Sequence, residues 1–389
     1  MRVRLLDPAS PAWGEALGDL YTRAGGATNP MLFPYHFLQA ALPRIGGFAA
    51  LVEHDHAPVA AAFLFPRLIS SPAEPVQRAY TLRLHPFPGA TQIEAGTVAQ
   101  QLSENVAAPV TPYDPHGDLP FEPSHELLHG VDIGRPDRAE AASVRTLQQQ
   151  VWGSPPEYLY PADIHSVAFG LGTSLVARVG GQLAGFLFGF IKFGGYPLPN
   201  DWHERFNGDL RVESQALGVL PAYRGARIGF LLKKVQAEQA LQTGIQIINW
   251  TVDPLQWPNA VLNFGRLRAI AFDFTPDYYP FRNELNRVAA SRFGLTWLAG
   301  SARVQQALNL APENTHLPPA PVLDLSQEVG IVRVNDEWRI LNATPGERTI
   351  AIEIPADWTA LQRDDLAAAT RWRTATDRLF GDLIGRHPG

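Results

Sequence analysis

Apolar residues recur along the chain at the spacings of short strands and amphipathic helices, most clearly between residues 126 and 300. An apolar run at 131–133 predicts a strand. Residues 137–152 predict a helix, because their apolar side chains follow helical spacing at Ala141, Val144, Leu147 and Val151. Two further apolar runs, 174–179 and 182–190, flank Gly180 and Gly181, and a two-glycine turn between such runs predicts a β-hairpin.

The next pattern, from Val212 to Gly244, predicts a strand, a loop and a helix. Pro221 ends the strand because proline has no amide hydrogen. The helix begins between Gly225 and Gly229, and its apolar stripe is Ile228, Leu231, Leu232 and Val235. A helix that opens in this way points free backbone amides and the positive end of its dipole outward, which favours binding of a diphosphate.

Residues after Gly244 continue this series of predicted strands and helices. Residues 245–251 predict a strand parallel to the loop strand, because a buried strand after a strand and helix favours that arrangement. Residues 259–267 predict a helix, and 272–274 with 295–298 predict a closing antiparallel pair.

The loop itself excludes two common nucleotide sites. The Walker pattern G-x-x-x-x-G-K-[S/T] does not occur, and Gly170 and Gly172 are followed by Leu175 where the dinucleotide fingerprint needs glycine. The run from Val219 to Gly229 resembles the coenzyme A loop of the GNAT superfamily of N-acetyltransferases, whose pattern is Arg or Gln, two residues, Gly, one residue, then Gly or Ala. Arg224 and Gly229 match this pattern, and Arg227 stands in place of the middle glycine.

The predicted order of elements is also that of a GNAT domain. Residues 250–256, 259–260, 263–264 and 352–358 resemble one poorly characterised branch of the superfamily. The resemblance implies an α/β (α+β) fold, in which helices flank a mixed, mostly antiparallel sheet. It further implies acetyl-CoA as co-substrate, direct attack by an amine, no metal, and cofactor contacts from Leu217, Val219, Arg224, Gly225, Ala226, Arg227, Ile228, Gly229, Phe230 and Asn259.

Direct attack requires a group that accepts the amine proton, since an alkyl amine is mostly protonated at neutral pH. Glu213 is the candidate base, because strand alternation predicts that it faces the same side as Leu217 and Val219. A salt-bridged structural glutamate is the alternative. Phe264 occupies the position of the family's usual tyrosine acid, so Tyr278, Tyr279 or Tyr223 would have to replace it.

Proline clusters divide the chain into four parts. We predict an N-terminal domain at 1–105, a linker at 106–125, the acyl-CoA-binding domain at 126–300 and a strand and helix tail at 301–389. Apolar letters at 51–65 repeat 124 residues later, which raises two tandem GNAT-like domains as a hypothesis; chance similarity of short strands is the alternative. The first copy lacks the phosphate loop, and the tail strand at 350–354 is a candidate to complete its sheet.

Composition narrows the function classes. A net charge of −6 with 18% charged residues gives no general attraction to nucleic acid or anionic membranes. The chain has no cysteine, which excludes disulfides, thiolate metal sites and cysteine nucleophiles. Residues 1–8 lack the apolar core of a signal peptide, and no apolar run is long enough to cross a membrane, so we predict a cytoplasmic protein.

One other motif has chemistry of its own. His125, Glu126 and His129 fit H-E-x-x-H, in which a helix presents two histidines to zinc. The motif follows a proline-rich stretch and runs directly into Gly130 and a predicted strand, so its helix is missing. An N-acetyltransferase acting on a small-molecule or peptide amine is therefore the leading prediction. A catalytically degenerate acyl-CoA-binding protein is the second, and a zinc hydrolase is a remote third.

Overall fold

A computed structural model describes residues 1–71, 74–90, 93–195, 198–279, 282, 286–310, 330–342 and 349–384. The chain divides into two compact units, residues 1–246 and 247–389. Both combine strands with helices. Among the described helices, none combines the length and apolar character needed to cross a membrane.

The first unit opens with a five-stranded sheet of order β1-β2-β3-β4-β5. Its strands are β1 Arg2–Leu5, β2 Phe48–His54, β3 Ala57–Ser71, β4 Glu74–Pro86 and β5 Val110–Tyr113. Strands β1 to β4 pair antiparallel, whereas β5 runs parallel to β4. The helical segments are α1 Trp13–Arg23, a 3₁₀ turn Gly26–Thr28, a π turn Phe37–Ala41, α2 Leu42–Arg44 and α3 Ala95–Val106.

The same unit continues with a second set of strands in the order β10-β9-β8-β7-β6, all paired antiparallel. These are β6 Glu126–Leu128, β7 Val131–Gly134, β8 Thr173–Val179, β9 Gln182–Phe193 and β10 Leu210–Val219. The helices are α4 Arg138–Trp152, α5 Asn200–Arg205 and α6 Ile228–Gln242, with 3₁₀ turns at Pro156–Tyr158, Ala162–His165 and Pro221–Tyr223. The predicted hairpin and both predicted helices of this region are confirmed.

One apolar core joins these two sheets. Phe63 and Phe65 of β3 share it with Phe186, Phe188 and Phe190 of β9, and α1 and α4 contribute Leu17, Leu20, Val144 and Leu147. Aromatic rings of the two strands lie beside each other; for example, the centroids of Phe65 and Phe190 are 6.3 Å apart. Burying side chains of this size is worth roughly 1.5–3 kcal/mol each. The N-terminal sheet is therefore built into the core of the unit.

The two sheets repeat each other closely. Strand β2 begins at residue 48 and β8 at residue 173, which are 125 residues apart, and α1 and α4 begin at residues 13 and 138, the same distance apart. Both hairpins have a two-residue turn, and both ladders shift register at equivalent places, after Val52 and after Ala177. The predicted offset of 124 is wrong by one residue, because the positions of apolar residues alone do not determine the register of strand pairing.

The N-terminal sheet also obtains its last strand locally. Helix α3 leads from β4 to β5, and β5 pairs with β4 from Tyr80↔Val110 to Arg83↔Tyr113. The described strand of the tail at 349–351 pairs with another strand of the tail at 331–333. The hypothesis that residues 350–354 complete this sheet is therefore wrong; β5, inside the proline-rich stretch, takes the position after β4.

In the second unit, three strands pair antiparallel in the order β12-β13-β11, and four further strands form two short ladders. Its strands are β11 Ile247–Val252, β12 Ile270–Thr275, β13 Arg292–Leu298, β14 Ile331–Arg333, β15 Asn335–Asp336, β16 Arg339–Ile340 and β17 Thr349–Ala351. Strand β17 runs parallel to β14, and β15 pairs with β16. The helical segments are α7 Trp257–Ala260, a π turn Val261–Arg266, α8 Ala302–Leu310, α9 Trp358–Asp364 and α10 Leu366–Ile384.

A buried charge cluster ties the C-terminal helix to this sheet. Asp253, just beyond β11, accepts hydrogen bonds from Arg373 Nη2 at 2.6 Å and Trp358 Nε1 at 3.2 Å. Arg292 of β13 lies 3.2 Å from the same carboxylate. Asp377, one turn after Arg373 on α10, accepts a hydrogen bond from Ser291 Oγ at 2.8 Å.

Asp377 makes the stability of the second unit depend on pH. Burial raises the pKa of its carboxyl from 3.8 to about 6. Because the folded-state pKa exceeds the unfolded value, the folded state holds the proton more tightly, and this contribution to stability is lost as pH rises from about 4 to about 6. We expect Asp377→Asn to raise Tm above pH 6 and to leave it unchanged near pH 4. Thermal unfolding of both proteins across this range checks the prediction, and a difference independent of pH would contradict it.

Candidate functional site

Strand β10 contains a β-bulge beside the candidate base. Glu213 pairs with Phe190 and Ala216 pairs with Phe188, so Ser214 and Gln215 both lie opposite Gly189. A β-carbon on Gly189 would come within 2.6 Å of the Glu213 carbonyl oxygen, so only glycine leaves room for the bulge. Bulges of this kind bend a strand and redirect its side chains.

The bulge changes the face on which Glu213 lies. Directly paired residues of an antiparallel ladder project to the same face, so Glu213 shares the face of Phe190. Leu217 pairs with Leu187, which projects to the opposite face from Phe188 and Phe190. The predicted common face for Glu213 and Leu217 is therefore wrong, because the extra residue inverts the alternation between them.

Glu213 is half of a largely buried ion pair. Its Oε2 lies 2.7 Å from Nζ of Lys192 on β9, and the two side chains retain 16% and 5% of their exposure. Arg211, two residues earlier on β10, is also buried; burial lowers its pKa, and the charges of Asp209 and Glu213 partly offset this effect. The site has a carboxylate with cations on its own strand and on the adjacent strand.

The predicted phosphate loop follows β10 directly. After the turn Pro221–Tyr223, Arg224, Gly225 and Ala226 are exposed. Gly225 has φ +85° and Arg227 has φ +61°, so both adopt the left-handed conformation. Arg227 is the N-cap of α6 and gives it no side-chain cap. The first amides of α6 therefore point out of the helix end toward the exposed part of the loop, which fits a bound diphosphate.

Arg227 thus adopts the backbone conformation that the usual glycine would provide. A side chain in the left-handed region costs about 1–2 kcal/mol, which glycine avoids. We expect Arg227→Gly to be about 1 kcal/mol more stable than Arg227→Ala, since both remove the guanidinium and only glycine tolerates the conformation freely. Denaturant unfolding of the two variants measures the difference, and equal stabilities would show that the loop relaxes.

The next residues anchor the helix to the sheet. Ile228 and Phe230 have buried side chains, so only their backbone groups could contact a cofactor. Gly185 of β9 permits this close packing, because a β-carbon there would lie 3.3 Å from Ile228 Cγ2. Leu217 and Val219 are half-buried on the strand that leads into the loop. Consequently, residues 217–230 form one continuous candidate binding segment.

No protein-family model matches the chain, and no curated protein sequence matches it.

Solved structures of acetyltransferases align with part of the chain. Arabidopsis thaliana Naa50, in complex with a bisubstrate analogue, covers 43% of this chain and 97% of its own at 16% identity and a TM-score of 0.33. The ribosomal-protein-S18-alanine N-acetyltransferase of Escherichia coli covers 44% and 96% at 12% identity and a TM-score of 0.33. Diaminobutyrate acetyltransferase EctA of Paenibacillus lautus covers 46% and 98% at 14% identity and a TM-score of 0.32.

The chain's own elements decide the fold. From β7 they run as strand, helix α4, hairpin β8 and β9, strand β10, loop, helix α6, strand β11, a helical segment at 257–266, and strands β12 and β13. This order of elements is that of the GNAT fold. The expectation drawn from the loop and its flanking patterns is confirmed at the level of the fold.

Four other residues that the sequence analysis singled out lie in the second unit: Asn259, Phe264, Tyr278 and Tyr279. Asn259 is exposed in α7, where Gln256 and not Asn259 is the N-cap. Phe264 is half-buried, with its ring 6.3 Å from that of Phe293. Tyr278 and Tyr279 lie after β12 with ring centroids 4.9 Å apart, and the guanidinium of Arg292 lies over Tyr279.

The H-E-x-x-H segment is not helical. Glu126 to Leu128 form β6, and His129 and Gly130 form the turn to β7, both with positive φ. His125 Nδ1 lies 2.8 Å from Asp132 Oδ2. The described residues contain no group of three or more metal-ligating side chains. The predicted absence of a helix here is confirmed, and the segment lacks the geometry that the zinc motif requires.

Sequence reasoning missed three side chains around β10. Lys192 binds Glu213, Lys233 of α6 donates to Ser214 Oγ at 2.8 Å, and Gln215 Nε2 donates to Tyr160 Oη at 2.9 Å. A lysine within the apolar pattern of a strand or helix was a signal for the first two. Tyr160 lies in an irregular segment and left no comparable signal.

Proposed function

We propose that the protein is an acetyl-CoA-dependent N-acetyltransferase that acts on a small-molecule or peptide amine. One observation carries the proposal. The helix α6 begins without a side-chain cap, directly after an exposed loop whose Gly225 and Arg227 adopt left-handed conformations. Such a helix start binds diphosphates through backbone amides.

Each part of the segment has a role in this proposal. Backbone groups of Leu217 and Val219 would bind the pantetheine arm, and the loop amides with Arg224 and Arg227 would bind the phosphates. Coenzyme A supplies the acetyl group as a thioester. Glu213 would accept the proton of the attacking amine. The roles that the resemblance implies for Asn259, Tyr278 and Tyr279 stay predictions.

Calorimetric titration with coenzyme A, followed by acetyl-CoA consumption with a panel of amines, tests the proposal. Binding with turnover of at least one amine supports the enzyme. Binding without turnover would favour a degenerate acyl-CoA-binding protein, for which the pairing of Glu213 with Lys192 and the presence of Phe264 are the supporting observations. Absence of binding would reject both.

Charge reversal in the loop is the sharpest test of the binding segment. Arg224 is exposed, so Arg224→Glu should leave the fold intact while it repels the diphosphate. We expect the Kd for coenzyme A to rise by roughly tenfold or more, which corresponds to about 1.4 kcal/mol. Arg4→Glu reverses the charge of another exposed arginine, on β1; it is the matched control and should leave Kd unchanged. Equal effects of the two variants would indicate a site elsewhere.

We also propose that the first 113 residues are a second GNAT-like half, whose sequence lacks the pattern of the cofactor loop. The support is the matching element order, turn length and register shift of the two hairpins. The predicted linker at 106–125 contains β5, which pairs with β4; the other predicted domain boundaries and the cytoplasmic location remain predictions.

A further inference from the structure

Three consecutive residues at the β10 bulge are each held by a different element. Glu213 is paired with Lys192 of β9 at 2.7 Å. Ser214 Oγ accepts a hydrogen bond from Nζ of Lys233 on α6 at 2.8 Å. Gln215 Nε2 donates to Oη of Tyr160 at 2.9 Å. Each of these three side chains therefore has a contact in addition to the backbone pairing of the strand.

These contacts grip the bulge from both faces of the sheet. Glu213 projects with Phe190 toward the core that also contains Tyr160, so Lys192 and Tyr160 hold that face. Lys233 approaches from α6 on the opposite face, where the buried Ile228 of the same helix packs near Gly185. A bulge leaves one residue outside the regular ladder, and contacts from both faces oppose its displacement.

Lys233 is an unusual residue for its position. It is 3% exposed, and burial lowers its pKa well below the ordinary value. Besides Ser214, its Nζ donates to Oε1 of Gln236 at 3.2 Å, and Gln236 Nε2 donates to Oγ1 of Thr173 on β8 at 3.1 Å. An apolar side chain would pack in such a place without the cost of desolvating an amine. An apolar residue in this place would lack the hydrogen bonds to Ser214 and Gln236.

We propose that Lys233 is a positioning residue for acetyl transfer. Through Ser214 it fixes the bulge, and the bulge determines that Glu213 projects to the opposite face from Leu217. This inference rests on the proposed function, because it assigns the residue that keeps the candidate base in place. It predicts that loss of the Lys233 amine impairs turnover more than coenzyme A binding.

The test compares Lys233→Met with Ser214→Ala and a matched control. Lys234 is the neighbouring residue of α6, half-buried and 3.6 Å from Glu238, so Lys234→Met removes a similar amine from the same turn. We expect Lys233→Met and Ser214→Ala each to lower kcat at least tenfold, with the Kd for coenzyme A within about threefold of wild type. The double variant should lose no more kcat than either single variant, since both single changes remove the same hydrogen bond. Lys234→Met should match wild type.

Other outcomes would overturn the inference. A rise in the Kd for coenzyme A with unchanged kcat, or a loss in Lys233→Met that follows its loss of Tm, would make Lys233 a purely structural residue. If the wild-type protein turns over no amine, the proposed function fails separately. Hydrogen exchange then tests whether Lys233 holds the bulge in place. Faster exchange of the amides at 213–217 in Lys233→Met but not in Lys234→Met supports the grip on the bulge; unchanged exchange overturns it.

Discussion

Replacing Glu213 with glutamine is expected to lower kcat for amine acetylation by roughly 10²–10⁴-fold. The amide cannot accept the amine proton, whereas its oxygen can still accept a hydrogen bond from Lys192, which lies 2.7 Å from the carboxylate. The change therefore removes the base and keeps the packing. Steady-state kinetics at saturating acetyl-CoA, with the most active amine of the panel, measures the effect.

Glu238→Gln is the matched control. Glu238 is on α6 and also pairs with a lysine, Lys234, but its side chain is 43% exposed, so its loss should leave kcat unchanged. Glu213→Gln should retain its affinity for coenzyme A, because the loop is untouched. An unchanged kcat in Glu213→Gln would identify Glu213 as the salt-bridged structural glutamate and would leave the proton to another group or to water.

Breaking the buried pair between Arg83 and Asp163 is expected to produce the largest loss of stability. Nη1 of Arg83 lies 2.9 Å from Oδ2 of Asp163, and the side chains are 1% and 8% exposed. Nη2 of Arg83 also donates to the carbonyl oxygen of Met31 at 2.7 Å. Asp163→Asn leaves the guanidinium buried without its counter-charge, which costs roughly 3–5 kcal/mol. Denaturant unfolding of the two proteins measures this loss.

Two comparisons separate this loss from a general effect of removing charge. Asp19→Asn breaks an ion pair with Arg23 in which the side chain of Asp19 is 58% exposed and that of Arg23 is 46% exposed. This change should cost less than about 1 kcal/mol. Arg83→Met combined with Asp163→Leu should cost less than the sum of the two single changes, because neither residue then leaves a buried charge. A cost below about 1 kcal/mol for Asp163→Asn would mean that water replaces the missing partner.

The sequence predicted the helices and strands of the site better than the backbone conformations and side-chain directions within them. Periodicity identifies the helix at 138–152 and the hairpin of β8 and β9, since each pattern is local and its turn residues are explicit. The position of Arg227 in the loop was also predictable. That it adopts φ +61° was not, because the identity of an L-residue does not reveal a left-handed conformation.

The orientation of Glu213 was predicted wrongly for a related reason. Alternation along a strand assumes one residue against one, and the bulge places Ser214 and Gln215 against Gly189. The signal for a bulge lies in the partner strand and not in β10 itself. The same limit explains β5, which composition alone shows as proline-rich linker although it pairs with β4 over four residues.

The matching ladders of the two hairpins create a hazard during folding. Strands β3 and β9 have the same register relative to their turns, so either could begin to pair with the wrong partner strand. Ala61 of β3 corresponds to Phe186 of β9, and both face the shared core. An exchanged strand would force a phenylalanine into the space of an alanine and leave a void at the other site, at a cost of several kcal/mol. The divergence in side-chain size between the two hairpins thus selects the correct pairing.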